Sequence, residues 1–155
     1  MLDILRQGIV TGDFVLHSGE RATWLFDSLK IKDLLIDHYD IIWELLMKGK
    51  GATSVFGIEF SGAILAEALF SKVGIIRKNG EIYKPQYYDD NSRILLFDDV
   101  VTTETSMRDV EGLLNRNNIF VSARGCVLDR REIETRMNYP IVSLARWEQI
   151  QSSRL

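Results

Sequence analysis

The hydrophobic pattern of the chain predicts an α/β fold with a mostly parallel sheet flanked by helices. Three observations carry this. Short apolar runs at Ser54–Ile58, Val73–Ile76 and Ile94–Phe97 have the length and β-branched content of buried strands. Stretches with one-faced helical spacing lie between them. Strands that alternate with helices imply βαβ units with right-handed crossovers. In such sheets ligands bind beyond the carboxyl ends of the strands. That rule gathers the turns after Phe56, Ile76, Phe97 and Leu128 along one edge.

In chain order, residues from about 3 to 8 suit a short first helix. Phe14–Leu16 and Thr23–Phe26 read as two short strands around the turn His17-Ser-Gly-Glu-Arg21. Asp33 to about Lys48 places Leu34, Leu35, Ile41, Ile42, Leu45 and Leu46 on one helical face. The strand at Ser54 is followed by a helix over Gly62–Phe70. Val73–Ile76 and Ile94–Phe97 are the next strands, and Thr105 to about Leu114 is helical. The polar turn Asn115–Asn118 ends that helix. Phe120–Leu128 and Ile141–Leu144 complete the strands, and Trp147 opens a terminal helix. The segment of about 79–93 is polar and lacks either period. It lies between two of the expected ligand-binding turns and reads as a mobile lid, with a disordered excursion without function as the alternative.

The 155 residues suit a single domain, 1–155. A net charge of −3 gives no electrostatic case for nucleic acid or an acidic membrane as partner. No basic-then-apolar leader opens the chain and no run of eighteen apolar residues occurs, so no membrane association is expected. One cysteine, Cys126, excludes an internal disulfide framework and fits a reducing cytoplasm. It lies in an apolar strand pattern and reads as a buried, inert thiol.

The chemistry concentrates in Ile94–Met107. An apolar strand runs into two adjacent carboxylates, Asp98 and Asp99, placed where the strand should end. Thr102, Thr103, Thr105 and Ser106 then supply hydroxyls at the start of a helix. A helix N-terminus presents free N–H groups and suits a phosphate. Two carboxylates just before it can hydrogen-bond a sugar diol. The pattern describes a pocket for a sugar phosphate.

This segment resembles the ribose-phosphate motif of the type I phosphoribosyltransferases, and the whole chain is similar to their orotate branch. Gly12–Asp27 resembles that branch's Phe-x-Leu-x-Ser-Gly-x-x-Ser-x-Tyr segment. Gly57–Ala66 resembles the turn that wraps the diphosphate, Ile76–Lys78 the Arg-Lys pair before the catalytic loop, and Leu128–Arg130 the Leu-Asp-Arg at the base. Tyr139–Leu144 is similar to the closing strand.

The resemblance implies transfer of ribose 5-phosphate from phosphoribosyl diphosphate to a pyrimidine, orotate, with release of diphosphate. It implies the type I phosphoribosyltransferase fold, with an N-terminal hood of about 1–32 and a mobile loop of about 79–93. Lys84, Asp98 and Asp99 would be catalytic. Phe60, Ser61, Arg77, Lys78, Asp98, Asp99, Val100, Val101, Thr102, Thr103, Glu104, Thr105 and Ser106 would bind phosphoribosyl diphosphate. His17, Phe26, Thr102 and Arg130 would bind the base. Mg²⁺ would be held mainly through phosphoribosyl diphosphate, with no dedicated protein ligands. A cytoplasmic two-fold homodimer is implied, with the lid reaching across. On position alone Arg130 reads as a surface arginine beside Arg131.

Four positions depart from the family pattern. Glu104 replaces a glycine of the phosphate turn, Ser61 replaces a lysine, and His17 replaces a lysine. The lid offers only Lys84 and no histidine. An inward Glu104 would oppose a phosphate by like charge; an outward one would cost little. These departures keep open an alternative, a weakened or inactive relative that senses nucleotide or phosphoribosyl diphosphate. A purely structural or partner-binding domain is a third reading.

Overall fold

The computed structural model describes residues 1–16 and 19–152. Along the chain run α1 (Leu2–Arg6), β1 (Ile9–Val15), β2 (Arg21–Phe26), α2 (Lys32–Ile36), α3 (Tyr39–Leu46), β3 (Ser54–Ile58), α4 (Ser61–Leu69), β4 (Val73–Ile76) and β5 (Ile82–Tyr83). There follow β6 (Ile94–Val101), α5 (Thr105–Arg116), β7 (Val121–Asp129), α6 (Ile133–Arg136), β8 (Val142–Arg146) and α7 (Trp147–Ser152). Strands β1 and β2 pair antiparallel as a separate two-stranded sheet. The others form one sheet in the order β5-β4-β3-β6-β7-β8. Its pairs are parallel except β5, which runs antiparallel to β4.

The strand order reverses between β3 and β6. From β3 the chain crosses outward to β4, and from β6 it crosses the other way to β7. Crossovers of one hand in opposite directions put their helices on opposite faces. Accordingly α4 buries Leu65, Ala66 and Leu69 with Val55, Leu95 and Phe97, whereas α5 buries Met107, Val110 and Leu114 with Phe56, Leu96 and Cys126. Neighbouring strand residues therefore serve different cores, the period of two that a sheet covered on both faces requires. Each fully buried Leu, Ile or Phe contributes about 1.5–3 kcal/mol. Cys126 is buried within this packing, and burial pushes its thiol well above the usual range.

The expected helix over Asp33–Lys48 is broken into α2 and α3. His38 is the cause. Its N–H donates to the Leu35 carbonyl at 3.0 Å. Its ring Nδ1 lies 2.9 Å from the Leu34 carbonyl oxygen, the acceptor that a continuous helix would offer to that N–H. A side chain has taken the backbone's partner.

The segment 79–93 is more ordered than its composition suggested. Asn79 and Gly80 make a tight turn, with Gly80 at φ +98 and the Arg77 N–H donating to the Glu81 carbonyl at 2.9 Å. β5 then pairs with the β4 edge. An Asn-Gly pair before apolar residues is a hairpin signal. Pro85 is buried on Gly74, where a Cβ would meet the proline ring at 2.7 Å. Tyr88 meets Phe56 edge-on, with ring centroids 6.3 Å apart. The short helix α6 has no counterpart in the hydrophobic pattern, for its four residues include none that is buried.

Candidate active site

β6 continues past the apolar run and carries Asp98 and Asp99 within it. Pairing with β3 stops at Gly57–Phe97, but pairing with β7 persists to Val101–Asp129. The carboxylates were expected beyond the strand end; β7 holds them inside it. On the other side β3 and β6 part at the point where the sheet order reverses. A cavity of about 310 Å³ opens there, lined by Glu59, Phe60 and Ser61 after β3, by Lys78, and by residues 98–103, Ser106 and Met107 around the end of β6. Such a switch point is where open α/β sheets bind ligands.

Asp98 sits deep. Its Oδ1 accepts the Asp99 N–H at 2.8 Å. Burial, and then the neighbouring Asp99 charge, hold its carboxyl well above the usual carboxylate range. Helix α4 starts so close that a Cβ on Gly62 would lie 2.6 Å from Asp98 Oδ1. Asp99 is held from the opposite direction, since Ser28 Oγ donates to its Oδ2 at 3.0 Å. Ser28 is buried, and 71 positions separate the two residues, so nothing in the local pattern pointed to it.

The turn Thr102–Glu104 leads into α5, and no side chain caps that helix. The N–H groups of Thr105, Ser106 and Met107 therefore have no intrahelical acceptor. Together with the helix dipole they make an anion seat. Thr102, Thr103 and Ser106 line the cavity; Thr105 does not.

Glu104 faces outward. Its carboxylate accepts from Arg108 Nε at 3.0 Å and from Arg131 Nη1 at 3.1 Å. Arg131 is almost wholly buried and also grips Asp129, through Nε at 3.0 Å and Nη2 at 2.9 Å, and donates to the Tyr139 carbonyl. The glutamate thus ties the turn to the end of β7, and its charge is matched away from the anion seat. Arg131 was not anticipated as a neighbour of this site, and Glu59 and Met107, though inside the motif segments, were not among the expected ligands. The first two are charged residues whose partners lie elsewhere in the chain, and Met107 reads as core.

Of the remaining cations, Lys78 lines the cavity. Arg77 does not: its Nε donates to Glu59 at 2.7 Å and its Nη1 to Glu81 at 3.0 Å, bonds that hold its guanidinium firmly protonated. Lys84 is exposed on the hairpin, 5.3 Å from the Tyr88 ring, and no residue of 79–93 lines the cavity. Phe60 stands at the cavity lip, 69% exposed.

Among the expected base ligands that lie within the described residues, Thr102 alone lines the cavity. Phe26 is half-buried on β2 against the core. Arg130 follows β7 directly, and its N–H donates to the Val101 carbonyl at 2.8 Å, so its backbone adjoins the cavity wall. Its guanidinium lies 3.9 Å from the Trp24 ring. His17 lies outside the described residues.

No family model matches the chain. Among curated proteins, the orotate phosphoribosyltransferase of Aeropyrum pernix is 29% identical, with 90% of this chain and 84% of that protein covered. The orotate phosphoribosyltransferase of Thermoplasma acidophilum is 30% identical, with 84% and 81% covered. The crystal structure of the Aeropyrum pernix enzyme superposes with a TM-score of 0.71 at 25% identity, over 99% of this chain and 98% of that one.

Proposed function

Since the chain belongs to the orotate phosphoribosyltransferase family, we propose that it transfers ribose 5-phosphate from phosphoribosyl diphosphate to orotate and releases diphosphate. One observation carries the reading. Asp98 and Asp99, Lys78 and the uncapped start of α5 share a single cavity at the switch point of the sheet.

In this reaction the bond from ribose C1 to the diphosphate oxygen breaks, and its electron pair leaves with diphosphate. A ring nitrogen of orotate forms the new bond at C1 and gives up its proton to solvent or to the departing diphosphate. Asp98 and Asp99 bind the ribose hydroxyls and favour the positive charge that grows on the sugar. Backbone N–H groups from Thr103 to Met107, with the Thr102, Thr103 and Ser106 hydroxyls, seat the 5-phosphate. Lys78 faces the charge that grows on the leaving group. Arg77, committed to Glu59 and Glu81, steadies the turn before α4 and must exchange a partner to reach the diphosphate. Arg130 offers a guanidinium fork to the carboxylate of the base.

Among the described residues no group of three or more histidine, cysteine, aspartate or glutamate side chains is arranged for a metal. Asp98 and Asp99 are the cavity carboxylates without a cationic hydrogen-bond partner, since Glu59 is paired with Arg77. A hard ion that keeps most of its waters fits that donor set, so Mg²⁺ would be held mainly by diphosphate and ribose oxygens. The chemistry it supplies there is neutralisation of the leaving group.

We also infer a two-fold homodimer. Lys84 does not line the cavity of its own chain, so a catalytic role calls for a second copy or a movement of the hairpin. Mixing Lys84→Ala with Asp98→Ala/Asp99→Ala chains tests this: partial recovery of activity supports sharing between subunits, and none refutes it. Among the described residues no helix is long and apolar enough to cross a membrane. A cytoplasmic location is inferred from a buried free thiol, which fits a reducing compartment.

The decisive experiment is calorimetric titration with phosphoribosyl diphosphate and Mg²⁺, followed by orotate and an assay for diphosphate. Binding with release is expected. Binding without release would favour the sensing alternative, which the engaged state of Arg77 and the neutral Ser61 support. Absence of binding would refute both.

A further inference from the structure

Two of the three tryptophans meet face to face beside Arg130. Trp24 on β2 and Trp147 at the start of α7 have ring centroids 4.0 Å apart and planes within 8° of parallel. The Arg130 guanidinium lies 3.9 Å from the Trp24 ring and 5.5 Å from the Trp147 ring. No carboxylate among the described residues pairs with it, unlike its neighbour Arg131. An arginine held by aromatic faces keeps its N–H edge free for an anion.

The stack is built from parts distant in sequence. Trp24 comes from the two-stranded N-terminal sheet. Trp147 follows β8 directly, and its helix is anchored by buried Ile150 and by Glu148, which accepts from Arg136 Nη1 at 2.6 Å and Nη2 at 2.9 Å. The N-terminal sheet, the terminal helix and the end of β7 therefore converge on one guanidinium. Trp147 does not line the cavity, so its value to the protein is not that of a wall.

We propose that Trp147 is a positioning residue for the base: stacked on Trp24, it fixes the plane of Arg130 so that the guanidinium edge faces the carboxylate of orotate. This rests on the reading of Arg130 as a base ligand. A loosened stack frees Trp24 to turn and Arg130 to swing, which costs orientation at the base and leaves the phosphate seat of α5 untouched.

Steady-state kinetics of Trp147→Ala and Trp147→Phe test the proposal. The alanine variant should raise KM for orotate about tenfold, with KM for phosphoribosyl diphosphate within about twofold of wild type. Phenylalanine retains a ring face and should recover most of the loss. A merely structural role would move both KM values together with the melting temperature. The exciton signal of stacked indoles in circular dichroism should vanish in Trp147→Phe and in Trp24→Phe alike, which reports the stack even if the alanine variant folds poorly. Unchanged orotate KM in Trp147→Ala, or in Trp147→Leu (apolar but without a ring face) where alanine does not fold, overturns the proposal while the transferase reading stands. Failure of the wild type to use orotate overturns the transferase reading itself, and the positioning role with it.

Discussion

Gly62→Ala probes the join between α4 and Asp98. A Cβ there would lie 2.6 Å from Asp98 Oδ1, 3.0 Å from Asp98 Cα and 3.3 Å from the Phe97 carbonyl oxygen. The carboxylate could turn, but the other two atoms are backbone. Carbon atoms rest at about 3.5 Å or more, so the start of α4 must retreat from β6 by roughly half an ångström. Overpacking of this kind costs about 1–3 kcal/mol. The better helix propensity of alanine returns at most about 1 kcal/mol. The net loss of about 1–2 kcal/mol corresponds to a fall in Tm of roughly 2–8 °C for a domain this size. Because the displaced group is the proposed diol ligand, kcat/KM should fall about 10- to 100-fold. Thermal unfolding and initial rates of diphosphate release measure both. Gly112→Ala is the control. Its Cβ would meet only Arg116 Nη1, at 3.5 Å, so it should gain about 0.5–1 kcal/mol and leave the rate alone. A Gly62→Ala chain with wild-type Tm and rate would refute the close-approach argument.

Two other expectations concern charges. Arg131→Met removes the buried partner of Asp129 and Glu104 and should cost about 3–5 kcal/mol in denaturant unfolding. Combined with Asp129→Asn it should cost clearly less than the two separate losses added, and simple additivity would contradict the pairing. Asp98 gives a pH dependence. Its folded carboxyl is raised from 3.8, mainly by burial, so between that value and its folded pKa the native state holds more protons than the unfolded chain. Stability attributable to Asp98 then falls as pH rises through that window. Asp98→Asn should gain on wild type from about pH 4 upward, and a flat difference in unfolding free energy across the series would show that the carboxyl is not raised.

Much of the architecture was legible because burial repeats locally. Apolar runs at β3, β4 and β6 announce strands covered on both faces, and the alternation of strand and helix implies the parallel sheet. The Asp98-Asp99 pair and the hydroxyls after it announce their chemistry through residue type. Where the pattern misled, a side chain had found a partner that periodicity does not encode. The ring of His38 takes a helix carbonyl and splits α2 from α3. Asn79-Gly80 folds a polar stretch back onto the sheet edge.

Sequence by itself determined the succession of elements, the identity of the carboxylates and the hydroxyl-rich turn, since each follows from the side chains of neighbouring residues. Tertiary structure decided which way those groups face. Glu104 is outward because Arg131 and Arg108 stand within hydrogen-bond reach, and Asp99 is held by a serine 71 positions away. Trp24 and Trp147 meet over Arg130 only when both ends of the chain reach the same sheet edge. Charge pairing and ring stacking depend on distance through space, which hydrophobic periodicity along the chain does not carry.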